Sequence, residues 1–191
     1  MNAPVLCGCQ RGTSLIEVLV TILIVSFGLL GLAGLHSRMQ LAEMESYQRA
    51  QALLLMDDMA SRIAVNRGMA AEYADYVTAI GPVGADMPCP TDPATRPEID
   101  AVVWCNALQG AAEVTAANND VGAVIGGRGC VEALPDNEYM VTVAWQGLTP
   151  VAAPPASVAC GQNLYDDAAS GCTADRCRRV VTTIVRIGTL N

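Results

Sequence analysis

The sequence predicts an α+β fold: one long N-terminal helix packed on a small antiparallel sheet, with a disulfide-tied C-terminal region. Three observations predict it. No proline interrupts residues 13–67, whose first half is apolar all round and whose second half is amphipathic. Two later segments, 138–147 and 180–187, alternate with a period of two. Six of the eight cysteines, Cys89, Cys105, Cys130, Cys160, Cys172 and Cys177, lie downstream of the apolar stretch.

The helix comes first. From Ser14 to Leu35 the only charged residue is Glu17. That is a run of more than about 20 residues, enough to cross ~30 Å of hydrocarbon. An ionised acid inside such a span costs about 2.5–3.5 kcal/mol at its centre and less near the interface, so it is expected to have a partner. Beyond it the helical spacing continues. Leu35, Met39, Ala42, Leu53, Met56, Ala60 and Ile63 form one stripe, and Arg38, Glu43, Glu45, Arg49, Asp57, Asp58 and Arg62 take much of the opposite side. Met39, Met44, Met56 and Met59 read as core packing. Asn66-Arg67-Gly68 is a stop signal. Such a helix would be ~80 Å long. Gly28, Gly31 and Gly34 within it suit close helix packing, and equally the ordinary composition of a membrane helix.

Residues 81–97 are rich in proline and small side chains and read as a loop. Residues 100–118 suit a short helix, although Val102-Val103-Trp104 would suit a strand equally. The glycine-rich run 121–129 lacks the Lys-Ser/Thr of a phosphate loop and reads as a connector. In the first strand Tyr139, Val141, Val143 and Trp145 share a face; in the second, Val181, Thr183, Val185 and Ile187 do. The loop-like segment 150–175 between them makes the two strands antiparallel partners.

Composition narrows the function. The net charge is −8, there is no lysine and no basic stripe, which argues against nucleic-acid binding as a main role. Six cysteines in an exported segment read as a disulfide framework whose connectivity the spacing leaves open. The least strained guess joins neighbours: Cys89–Cys105, Cys130–Cys160 and Cys172–Cys177. Zinc is the rival, but no Cys-x-x-Cys pair occurs and His36 is the sole histidine. Without a second histidine or a nucleophile motif, no catalytic residue, cofactor or metal is expected. Asp166, Asp167 and Asp175 read as solvated loop charges, with oxygen-only calcium ligation as the alternative. The first dozen residues are no ordinary secretory signal, since their polar part is short and the apolar part too long. Leu6-Cys7-Gly8-Cys9 has a lipobox spacing without the apolar run that should precede it.

The run Gly12-Thr13-Ser14-Leu15-Ile16-Glu17, ahead of the apolar span, resembles the N-terminal signal of the type IV pilin superfamily. Residues 28–35 (GLLGLAGL), Gly129-Cys130, residues 139–147 (YMVTVAWQG), Cys160-Gly161 and residues 178–187 (RRVVTTIVRI) are similar to the PilV group of minor pilins within it. The resemblance implies a pilin-like fold, cleavage between Gly12 and Thr13 by prepilin peptidase, and N-methylation of Thr13, where the family more often carries Phe. It also implies that Glu17 neutralises the terminal amine of a neighbouring subunit. The implied divisions are a leader (1–12), a filament-core half-helix (13–35), an amphipathic half-helix (36–67) and a periplasmic globular domain (68–191). Implied partners are other minor pilins, the major pilin and, before assembly, inner-membrane lipid. A pseudopilin of a type II secretion system is the alternative.

Overall fold

The structure, a computed structural model, describes residues 12, 14–111 and 124–188. Helix α1 spans Leu15–Val65, and a 3-10 turn at Arg67–Met69 leads into α2, Ala70–Ile80. Then come β1 (Val83–Gly84), α3 (Arg96–Gln109), β2 (Arg128–Leu134), β3 (Glu138–Gln146) and β4 (Arg178–Arg186). The four strands form one sheet in the order β1-β2-β3-β4, with every neighbouring pair antiparallel. This is a long N-terminal helix and a small antiparallel sheet with disulfides in the C-terminal region, the arrangement of a type IV pilin. The chain divides into two compact units, one up to Glu43 and one from Met44.

Within the second unit, α1 buries Gln48, Ala52, Met56, Met59 and Ile63. They join Tyr73 and Val77 of α2, Trp104 and Leu108 of α3, and the sheet residues Val131, Tyr139, Val141, Val143, Trp145 and Val181. The buried stripe is rotated from the one the spacing predicts. Leu53 is 39% exposed, Met39 and Met44 lie outside the core, and Ala52 takes an inner position, whereas Met56 and Met59 are buried as expected. Two charges placed on the outer side turn inward. Glu45 accepts the Leu148 N–H at 2.8 Å and pairs with Arg179, and Arg62 reaches Asp100.

Helix α2 follows the expected stop signal directly, so the chain turns without leaving helical geometry for long. Its buried residues Ala70, Tyr73, Ala74 and Val77 keep the i, i+3, i+4, i+7 spacing of an amphipathic helix. In α3 the strand-like trio Val102-Val103-Trp104 is helical. The Thr95 hydroxyl accepts the Glu98 N–H while the Glu98 carboxylate accepts the Thr95 N–H, and Pro97 sits in the first turn. This reciprocal cap fixes the start of a helix before the β-branched residues are reached. Gly110, with φ of 97°, ends it. The predicted continuation to residue 118 and the first part of the glycine-rich connector fall outside the described residues. The rest of that connector enters β2, where a Cβ on Gly129 would lie 2.3 Å from the Trp104 ring, so only glycine lets strand and helix approach this closely.

The opposite face of the sheet carries a second small core, Cys130, Ala144, Cys160 and Tyr165, beneath the segment that joins β3 to β4. Arg178, only 1% exposed, holds that segment down. Its Nη1 donates to the carbonyls of Val158 and Cys160 at 2.7 and 3.0 Å, and its Nη2 pairs with Asp175 at 3.1 Å. Asp175 is therefore buried and fully engaged, accepting also the Asn163 N–H at 2.7 Å, and is not the solvated loop charge its neighbourhood predicts. Arg128 pairs with Asp86 and lies over the Tyr165 ring, 4.9 Å from its centroid.

Disulfides join Cys89 to Cys105, Cys130 to Cys160 and Cys172 to Cys177. The second closes the longest interval, 30 residues, and ties β2 to the covering segment. Replacing Cys130 and Cys160 together by serine is expected to cost about 3 kcal/mol, mostly by freeing the unfolded chain. Thermal melting of the full chain in detergent, followed by circular dichroism, checks this.

Candidate functional site

The N-terminal part of α1 is the surface that the fold leaves unexplained. The described residues contain one helix long and apolar enough to cross a membrane, and none of its most apolar window is buried within the chain. Phe27, for instance, is 72% exposed. A contiguous apolar surface of this extent is not stable in water and needs lipid or other apolar helices around it. Apart from Glu17, the polar side chains of the span 15–35 are satisfied internally. Thr21 donates to the Val18 carbonyl at 2.8 Å and Ser26 to the Ile22 carbonyl at 2.7 Å, so neither opposes burial in an apolar medium.

Glu17 lies in the first turn of this helix, where the carbonyl of Ser14 accepts the N–H groups of Glu17 and Val18 at 3.0 and 3.3 Å. A carboxylate there complements the positive end of the helix dipole. It is exposed and makes no ion pair among the described residues. Gly12 itself is exposed, with open space where a Cβ would be. Thr13 lies outside the described residues. Gly28, Gly31 and Gly34 likewise face open space, which leaves room for another helix to approach.

Residues 7–33 match the family model of the prokaryotic N-terminal methylation motif. No curated protein and no solved structure matches the chain. The chain thus has a prepilin-type N-terminus ahead of a type IV pilin-like fold. Such a terminus implies processing by prepilin peptidase, anchoring in a membrane and assembly with other pilins. Both Gly12 and Glu17 fall inside the matched segment.

The remaining ionisable cluster is structural. Asp100, 1% exposed, accepts Arg62 Nη1 at 2.8 Å, Arg96 Nε at 2.9 Å and the Tyr73 hydroxyl at 2.5 Å. Burial opposes its charge, but the hydrogen bonds from Tyr73, Arg62 and Arg96 prevail and hold its carboxyl below the usual range. Burial, with the Asp100 carboxylate second, pushes the Tyr73 phenol up to about 12. The cluster ties α1, α2 and α3 together at one point. The sequence pattern does not show it, because Arg62 falls on the side opposite the apolar stripe and Asp100 meets partners 27 and 38 residues away. Among the described residues no group of three or more His, Cys, Asp or Glu could hold a metal ion.

Proposed function

We propose that this chain is a minor pilin of a type IV pilus, of the PilV group, which helps to prime pilus assembly and forms part of the tip complex. The observation that carries the reading is the position of Glu17. It is the lone charge of the uncovered apolar stretch 14–35, five residues beyond Gly12, inside a methylation motif. Prepilin peptidase removes residues 1–12, and the new amine on Thr13 is methylated. In a bundle of such helices that amine and the Glu17 carboxylate of an adjoining subunit attract strongly, because the surroundings are of low dielectric. The uncleaved precursor has no amine at that position and cannot make the contact. Residues 13–35 form the filament-core half of the helix, residues 36–67 its amphipathic half, and residues 68–191 the globular domain on the periplasmic side. The role is non-enzymatic, with the major pilin and other minor pilins as partners.

The intact mass of the protein isolated from its cell membrane tests the processing. It is expected to lack residues 1–12, to carry one added methyl group, and to be lighter by two hydrogens for each disulfide. Retention of the first twelve residues in assembled fibres overturns the proposal. Deletion separates this function from that of a type II secretion pseudopilin: loss of pili supports the first, and loss of protein secretion with pili intact supports the second.

A further inference from the structure

Helix α2 meets the edge of β2 without closing it. Strand β1 pairs only with Gly129 and Arg128, so the rest of that edge is left to the helix. The Thr78 hydroxyl lies 3.4 Å from the Val131 carbonyl, and on either side of this contact the surface opens. One opening, of about 280 Å³, is walled by Val77, Pro82 and Val131; the other, of about 510 Å³, by Ala74, Ala79 and Ala133. Thr78 and Glu132 line both, so the two form one groove with a shared waist. Glu132 and Asp75 are the only charged side chains lining it among the described residues. Neither carboxylate joins an ion pair among the described residues. An apolar groove with an unneutralised acidic rim fits an apolar surface that brings a cation of its own.

The same globular unit carries such a surface at the corner between α1 and α2. Val65 is 81% exposed and Met69 41%, far more than the fold needs of apolar side chains outside the apolar span. Between them Arg67 is exposed and joins no ion pair among the described residues, whereas Arg62, Arg96, Arg128, Arg178, Arg179 and Arg186 are all paired. The corner is held in shape by Asn66. Its carbonyl accepts the Met69 N–H at 2.8 Å, and its side-chain amide donates to the Arg62 carbonyl and the Tyr73 hydroxyl, both at 3.0 Å. Docking it therefore costs little chain entropy. We infer that the corner 65–69 of one copy docks in the α2–β2 groove of a second copy, with Val65 and Met69 in the two openings and Arg67 against Glu132 and Asp75. Charge fixes the polarity of the contact. Groove against groove sets carboxylates together and corner against corner sets two arginines together, which leaves corner to groove. A contact between unlike surfaces repeats head to tail and closes no dimer. Both surfaces lie in the globular unit, so the inference does not depend on the pilus reading.

Sedimentation of the purified full chain in detergent, at low salt and rising concentration, tests this. Oligomers that grow with concentration and come apart in high salt are expected. Arg67→Glu, and separately the pair Asp75→Arg with Glu132→Arg, should each weaken association by about tenfold or more, because like charges then meet in the groove. Mixing these two variants should restore association, since each offers the other a matched corner and a matched groove. A variant that had merely misfolded could not be rescued in this way. Val65→Ser, at a side chain the single chain leaves in water, should weaken association about fivefold and leave the melting temperature unchanged. Association through the apolar helices alone would ignore all of these substitutions, and that result overturns the inference. So does a mixture that stays dissociated, or a wild-type chain that does not self-associate.

Discussion

Glu17→Ala is expected to leave the protein in the membrane and to remove it from assembled fibres. Loss of the carboxylate makes insertion easier, because the only charge in the span disappears. Assembly responds in the opposite sense. In a closely packed helix bundle the amine of the adjoining subunit would be left without its counter-charge, and stranding one member of a buried pair costs about 3–5 kcal/mol. That corresponds to a drop of well over tenfold in incorporated protein. Glu17→Gln keeps the shape and removes the charge, so it should behave as Glu17→Ala does if charge is what matters. Immunoblots of membrane and sheared-fibre fractions measure both quantities. Unchanged incorporation with either substitution would remove the register contact from the proposed mechanism.

The second large effect lies in the globular unit. Asp100→Ala is expected to destabilise it by about 3 kcal/mol, at the lower end for breaking a buried ion network. The partly exposed Arg62 and Arg96 can regain water, whereas the Tyr73 hydroxyl loses its acceptor in the interior. The melting temperature should fall by about 10 °C for a unit of this size. The same cluster predicts the pH profile. Asp100 titrates lower in the folded state than in the unfolded one, so its contribution is present above the ordinary carboxylate range of about 4 and is lost as pH falls below it. Tyr73 titrates higher when folded, so its contribution is complete below the ordinary phenol value of about 10 and fades as pH rises toward about 12. Stability should thus be flat near neutrality and fall at both extremes. In Asp100→Ala the acid-side fall should be shallower, which circular-dichroism melts across pH can measure.

Period and composition carried much of the fold. A long proline-free run with one charge can only be a helix, and Tyr139, Val141, Val143 and Trp145 can share a face only in a strand. Helix α2 has the same kind of legible spacing in Ala70, Tyr73, Ala74 and Val77, just beyond the stop signal at Asn66-Arg67-Gly68. Strand β2 was hidden because Arg128 and Gly129 read as connector chemistry, and β1 is too short for any period to register. For the candidate site, the spacing of Gly12 and Glu17 was plain in the sequence, and the structure adds that the surface around Glu17 is uncovered.

By itself the sequence determined which segments are helix and strand where the period is long, and where the one charge of the apolar span stands. These are local properties, set by side-chain alternation and by the cost of charge in hydrocarbon. Only the tertiary structure decided which charges turn inward, as Glu45, Arg62, Asp100 and Asp175 do. Those outcomes depend on partners distant in the chain: Glu45 and Arg179 are 134 residues apart, and nothing near either one announces the other.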